Sequence, residues 1–292
     1  MHAIDSLVLG ASGNLGSALC EFLLGEEQRV SGTFHSHRPA LAGVDLHPAE
    51  VAGEEPARLV RRLRPARVYH LAWSTNLDEC ESRPEVAYGP VREGLKPLLE
   101  ACRETGSQLI FMSSDGIFGD PGCERFEDSA PDPINHYGRG KVEAEQRIRD
   151  SKAAWTILRA CPIGLNAQRE KGLVNWAISS LRNGKTVTGF SDSSFTPISV
   201  QTLARMIGGI GTKQAGEILH FLSDPPITKY EFLRQAAGLL GVSVDKVVRG
   251  SLKEAKFAAP RPRRQDLQTR FPKQRAFSSR EEIERSLRTQ NP

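Results

Sequence analysis

Apolar and polar positions alternate in two rhythms over the first half of the chain. Short apolar runs, Leu7–Leu9, Arg29–Phe34, Arg67–Ala72, Leu109–Met112 and Trp155–Arg159, read as buried strands. Between them lie longer amphipathic stretches, Asn14–Leu24, Glu55–Leu63, Pro84–Thr105 and Tyr137–Asp150, which read as helices. Strand–helix alternation at this spacing predicts an α/β fold, a Rossmann-like doubly wound parallel sheet with helices on both faces. The Pro84–Thr105 stretch carries Pro90 and Pro97, and a proline inside a helix removes a hydrogen bond, so a bend or break is expected there.

After Arg159 the rhythm is less regular. Leu173–Leu181, Val200–Ile207 and Lys229–Leu240 read as helices and Ile218–Phe221 as a strand. A last helix is expected behind Ser278 or Ser279, where serine caps and Glu281 and Glu282 suit the positive helix end. The division expected is a dinucleotide-binding domain over 1–164, rejoined by segments near 196–222, and a mainly substrate-binding region over 165–292.

Gly10-Ala11-Ser12-Gly13-Asn14-Leu15-Gly16 follows the first strand and opens the first helix. Glycines there let the backbone turn tightly and approach a pyrophosphate, which helix-start N–H groups bind. Ser12, Asn14 and Leu15 join the three glycines as cofactor-site candidates. After the second strand, Thr33-Phe34-His35-Ser36-His37-Arg38 offers no acidic residue for the ribose hydroxyls of NAD. His35, Ser36 and Arg38 suit a 2′-phosphate instead, so NADP(H) is expected and NAD is the second choice.

Tyr137 and Lys141 form a YxxxK pair on one helix face, 23 residues after Ser114. An ammonium beside a phenol favours phenolate and lowers its pKa. Together with the GxxGxxG turn, this set resembles the extended branch of the short-chain dehydrogenases/reductases. Ser113 to Asp120 (Ser-Ser-Asp-x-x-Phe-x-Asp), Asn76–Glu81, Phe195–Val200, Arg261-Pro262 and Asp266-Leu267 narrow it: they resemble the dTDP-4-dehydrorhamnose reductase family over nearly the whole chain. Ile227–Phe232 and Leu158–Ile163 also resemble the regulatory beta subunit of methionine adenosyltransferase.

The resemblance implies an NADP-dependent reductase of a 4-keto nucleotide sugar, with Ser114, Tyr137 and Lys141 catalytic and Tyr137 the proton donor. It implies cofactor contacts from Asp45 and Leu46 and from Leu71, Ala72 and Trp73, with Trp73 standing where the family has a small residue. Substrate contacts are expected from Ser74, Asp115, Gly116, Phe118, Asn166 and Arg261, with Gln168, Lys171 and Thr196 as further candidates. Two departures keep alternatives open. Val91 stands where the family carries an Asn, and Pro162 where the reductases carry a Trp. A non-catalytic NADP-binding subunit and a nucleotide-sugar epimerase or dehydratase are therefore also considered.

Composition sets outer bounds. The chain has 292 residues, 39% hydrophobic and 25% charged, as expected of a globular protein. No apolar run approaches the ~20 residues of a membrane-spanning helix. The amino-terminal stretch does not read as a signal peptide, and Cys20, Cys80, Cys102, Cys123 and Cys161 are scattered without a CxxC. A cytoplasmic protein without a metal site is expected, with homodimerisation left open. The formal charge of +4 is uneven: residues 249–292 carry 12 − 5 = +7 and residues 1–248 carry 27 − 30 = −3. The tail has few aromatics for stacking bases, so a nucleic-acid partner is not expected, and Arg261 is read as a diphosphate contact. Glu143 and Glu145 are expected to pair with Arg139 or Arg149 along their helix.

Overall fold

The computed structural model describes residues 4–119, 122, 124–164, 173–274 and 278–287. The first half runs β1 (Ile4–Leu9), α1 (Asn14–Gly25), β2 (Val30–Phe34), β3 (Asp45–Pro48), α2 (Glu55–Leu63), β4 (Pro65–His70), α3 (Leu77–Ser82), α4 (Pro84–Gly89), α5 (Leu95–Thr105), β5 (Gln108–Met112), α6 (His136–Arg149), β6 (Ala154–Arg159) and β7 (Cys161–Ile163). It continues through α7 (Leu173–Arg182), β8 (Val187–Phe190), β9 (Ser194–Phe195), β10 (Pro197–Ser199), α8 (Val200–Gly208), β11 (Glu217–His220), β12 (Ile227–Thr228), α9 (Lys229–Leu239), β13 (Val247–Gly250), β14 (Arg264–Gln265) and α10 (Ser279–Leu287).

Seven of these strands form one parallel sheet in the order β11-β6-β5-β4-β1-β2-β3. The order reverses at β1, where the chain leaves toward β2 on one side and β4 on the other. Ligands of open α/β sheets bind at such a reversal, outside the carboxyl ends of the strands. Apolar clusters cover both faces. Leu19 and Leu23 of α1 pack with Leu203 and Ile207 of α8 on one face, and Val60, Leu95, Leu98 and Ile148 pack on the other. The buried stretches Leu7–Leu9, Val68-Tyr69 and Leu109–Met112 of the central strands are apolar because both faces of the sheet are covered.

The proline-bearing stretch is interrupted as expected. α4 ends at Gly89, Pro90–Gly94 form a single π-helical turn, and α5 begins at Leu95. Pro90 opens the wider turn. Pro97 sits in the first turn of α5, just past the π-turn.

A separate apolar cluster underlies the second half, with Phe195, Phe232, Leu233, Ala237 and Ile283 at its centre. β10, α8 and β11 return to the first body: β10 pairs with β7, and β11 pairs with β6 at the sheet edge. α10 is fastened to this return, since buried Glu282 accepts from Ser199 N at 2.7 Å and from Thr202 Oγ1 at 3.0 Å. Ser278 caps α10 and Glu281 reaches back to the Ser278 N–H at 2.9 Å. Several short elements have no periodic signal in the sequence: α3, β3, β7 to β10 and β12 to β14.

Candidate active site

The turn after β1 is built by close backbone approach. Gly10 has φ +91°, and a Cβ there would lie 3.0 Å from the Ala72 backbone. A Cβ on Gly16 would lie 2.1 Å from the Gly10 carbonyl oxygen. The turn thus brings the start of α1 against the segment following β4, and Leu71 N continues the β1 pairing to Leu9 O at 3.0 Å. Gly13 caps α1 with backbone alone, so no side chain takes up the helix-start N–H groups. Those groups and the helix dipole favour an anion. Asn14 is occupied, donating Nδ2 to Gly164 O at 3.0 Å.

The other expected cofactor residues are placed unevenly. Arg38 is exposed, with its guanidinium 5.9 Å from the Phe34 ring centre. His35 pairs with Glu50 at 2.8 Å, and Ser36 bonds His37. Asp45 pairs with His47 at 3.0 Å, whereas Leu46 is buried in the core with Val8 and Ala11.

Ser114 lies two residues beyond β5 and caps a short 3-10 turn over Asp115–Ile117: its Oγ accepts from Gly116 N at 3.0 Å and donates to Asp115 Oδ1 at 3.0 Å. Tyr137 arrives from the first turn of α6. That turn is fixed by Asn135, whose side chain accepts from Gly138 N at 2.8 Å. A Cβ on Gly116 would sit 3.6 Å from the Tyr137 ring, so the serine turn and the phenol are in contact. Burial pushes the Tyr137 phenol well above its usual value, and Asp115 and Cys161 add to that, while the Ser114 hydroxyl pulls it back. The phenol is therefore held protonated, the form a proton donor needs.

Lys141 lies one helical turn on and is buried. Its Nζ donates to Met112 O at 2.7 Å and stands 4.0 Å from the Trp73 ring centre and 4.8 Å from that of Phe111. Burial pushes its ammonium down to about 7, with Glu145 and Cys80 pulling the other way. The ammonium is thus directed at a carbonyl and two rings, and the Ser114 hydroxyl is what opposes the burial of the phenol.

Asp115 is buried, and its Oδ2 has no partner. Burial pushes its carboxyl up, with Lys229 and Ser114 opposing. Phe118 packs in a core cluster with Leu222 and Leu267, 2% exposed, with the Arg159 guanidinium 5.4 Å from its ring. Ser74 accepts from Asn76 N at 3.4 Å at the entrance to α3. Thr196 accepts from Leu267 N and lies in the wall of a cavity of about 200 Å³ with Asp266, Leu267 and Gln268. Asn166, Gln168 and Lys171 lie outside the described residues.

The ion-pair expectation for Glu143 and Glu145 is corrected, and Arg261 has a partner within the chain. Arg261 is committed within the chain, its Nη2 2.9 Å from Asp78 Oδ2 and its guanidinium 4.8 Å from the Phe257 ring. It reaches Asp78 because Ala259 N and Pro260 O dock the tail on Asp78 and Asn135. Glu143 pairs with Arg147 at 2.8 Å, and Glu145 points inward to Arg159. The cause is helix geometry: Glu145 stands one turn beyond Lys141 on the same buried face. Arg159 donates to Glu145 at 3.0 and 2.6 Å and lies 3.3 Å from His220 Nε2; His220 Nδ1 meets Gln268 O at 2.8 Å. Ser113 Oγ donates to the same carboxylate. Sequence spacing did not single out this network. A signal existed in Glu145, four residues after Lys141, but Arg159 and His220 are joined to it only by the fold.

Comparison with known proteins follows the same lines. The family model described as the RmlD substrate binding domain matches residues 4–290. A probable low-salt glycan biosynthesis reductase of Haloferax volcanii is 28% identical over 270 residues, 89% of this chain and 88% of that protein. The methionine adenosyltransferase 2 subunit beta of Xenopus tropicalis is 29% identical over 155 residues, 53% of this chain and 45% of that protein. A crystal structure of dTDP-4-dehydrorhamnose reductase from Bacillus anthracis in complex with NADP superposes with a TM-score of 0.80 at 22% identity, covering 97% of this chain and 98% of that one. At that identity the likeness establishes the fold. Among the described residues no helix is long and apolar enough to cross a membrane, and no group of three or more acidic, His or Cys side chains is placed to hold a metal ion.

Proposed function

The chain belongs to the RmlD substrate binding domain family, and from that premise we propose that it is an NADPH-dependent reductase of a 4-keto nucleotide sugar. The observation that carries the reading is the contact between the Ser114 turn and the buried, protonated Tyr137 at the end of β5, beside the Gly10 turn and Lys141. A dinucleotide fits the residues present. Gly10 and Gly16 leave no room for side chains, and α1 opens without a side-chain cap. Gly13, Ser12 and the first N–H groups of α1 would hold its diphosphate, and Ser36 and Arg38 would hold a 2′-phosphate, which favours NADP over NAD.

NADPH, when bound, supplies the hydride. The chain's own groups do the rest: Ser114 Oγ orients the carbonyl oxygen, and Tyr137 gives it a proton as charge develops there. Lys141, in its charged form, stabilises the tyrosinate left behind in a dry site. Residues 1–164 with the 196–222 return are the dinucleotide-binding part, and the remainder of 165–292 is the substrate-binding part.

NADPH oxidation with a panel of 4-keto nucleotide sugars tests the proposal. Tyr137→Phe is expected to lower turnover by roughly 10²–10⁴-fold with NADPH affinity kept. Wild-type turnover in that variant overturns the assignment. A second reading, a dinucleotide-binding subunit without turnover, is favoured by Val91, which is fully buried in the π-turn and offers Lys141 no hydrogen bond. Robust oxidation by the isolated chain excludes it.

A further inference from the structure

Trp73 departs from the small residue expected at its position, and the structure gives it a specific neighbour. Its ring centre lies 4.0 Å from Lys141 Nζ. Phe111 presents a second ring at 4.8 Å, and the two rings meet edge-on at 76° with centres 5.9 Å apart. His70 closes the group, 5.4 Å from Phe111 and 6.3 Å from Trp73. The ammonium has one hydrogen-bond acceptor, Met112 O.

We propose that Trp73, backed by Phe111, is a positioning residue that cages the Lys141 ammonium and keeps it charged inside the closed site. A ring face is negative, and its attraction for a cation grows as water is removed. Burial disfavours the charged form of Lys141, so a group that binds only that form sets whether the lysine carries its charge near neutral pH. The carbonyl of Met112 fixes the position of Nζ, and the indole face supplies the second contact. Three titratable groups act on Nζ: Glu145 on α6, Cys80 on α3 and His70 on β4. The Glu145 carboxylate favours the ammonium but is shared with Arg159 and Ser113. His70 is held neutral by burial and by Lys141 itself, so it adds no opposing charge. Cys80 is kept as the thiol by burial.

The proposal rests on Lys141 serving the reductase, so its test reads the lysine directly. The full-length chain, labelled with 15N-lysine, is titrated by NMR as wild type, Trp73→Phe, Trp73→Leu and Trp73→Met. The Lys141 midpoint is expected to fall by roughly 0.5–1.5 pH units in Trp73→Leu and Trp73→Met and by less in Trp73→Phe, which keeps a ring. Trp73→Met preserves bulk, so it answers the question if Trp73→Leu does not fold. With substrate, the alkaline limb of kcat moves to lower pH by the same amount. An unchanged or raised midpoint in the folded non-aromatic variants overturns the cage. A lowered midpoint in a protein whose wild type oxidises no NADPH with any substrate of the panel leaves the cage standing and removes the reductase reading.

Discussion

The two ends of the cleft are held together by opposite means. At the cofactor end the contacts are backbone on backbone: Gly10 against Ala72, Gly16 against the Gly10 carbonyl. At the seam between the sheet and the second half the contacts are polar groups from distant segments gathered on buried charges. Arg159 on β6 meets Glu145 on α6 and His220 on β11, and Arg270 N and Thr269 Oγ1 meet Glu127. The first kind of contact is set by residue size and tolerates no added atom. The second is set by charge and tolerates no missing partner. Breaking each in its own way separates them.

The largest effect belongs to the buried pair. Arg159 and Glu145 are almost fully removed from solvent, and removing one member leaves an uncompensated charge. Arg159→Met is expected to cost about 3–5 kcal/mol, measured by urea unfolding. The double variant Arg159→Met/Glu145→Met should recover most of that loss. Equal losses in single and double variants would mean that the pair is not what holds the seam.

Two histidines, one at each end, make the next comparison. Burial pushes His70 down to about 3 and His220 down to about 4. Each is therefore neutral in the folded chain at a pH where the unfolded chain, with ordinary values near 6.5, already binds a proton. Between pH 6.5 and 4 the unfolded state binds more protons, so stability falls on acidification, by at most about 1.4 kcal/mol per pH unit for each histidine. His70 Nδ1 has no partner, whereas His220 Nδ1 meets Gln268 O and Nε2 meets Arg159. His70→Leu should flatten the acid limb of stability at little cost at pH 7. His220→Leu should flatten it too, but only from a lower starting stability. Thermal unfolding across pH 4–8 reads both, and a limb unchanged in both variants assigns acid sensitivity elsewhere.

The same contrast explains what the sequence disclosed. The cofactor end is local: seven residues from Gly10 to Gly16 carry the turn and the helix start, and apolar runs of three to six residues mark the strands around it. Ser114, Tyr137 and Lys141 were legible because helix spacing puts Tyr137 and Lys141 on one face and β5 ends at Met112. The seam was not legible. Glu145 has arginines within reach along its own helix, so local spacing favours a surface pair. Only the pairing of β11 with β6 brings His220 to Arg159 and turns that carboxylate inward. The Arg261–Asp78 pair was hidden for the same reason, since Asp78 lies 183 positions earlier on a helix too short to show a period.

At the cofactor end, Gly16→Ala is the direct test. Its Cβ would lie 2.1 Å from a backbone oxygen, which a flexible side chain cannot relieve. Overpacking of this kind costs about 1–3 kcal/mol, and the displaced α1 start should weaken NADPH binding more than it lowers stability. Fluorescence titration with NADPH and urea unfolding of the same variant give the two numbers. A destabilised variant with wild-type NADPH affinity would remove this turn from the cofactor site.

The smallest effect decides the role of Arg261. Its pairing with Asp78 is partly exposed, 23% and 41% at the two side chains, so the pair contributes only about 0.2–1 kcal/mol, and less as salt screens it. Asp78→Asn removes the partner and keeps the guanidinium, while Arg261→Met removes the guanidinium and keeps most of its bulk over Phe257. If the pair only fastens the tail, the two variants lose similar small amounts of stability and leave KM alike. If the guanidinium also meets a substrate diphosphate, Arg261→Met raises KM for a nucleotide sugar while Asp78→Asn lowers it, because freeing the guanidinium from its carboxylate leaves its charge to the ligand. Opposite movements of KM at equal stability would therefore extend the charged seam into the substrate site. Parallel movements would confine it to holding the tail.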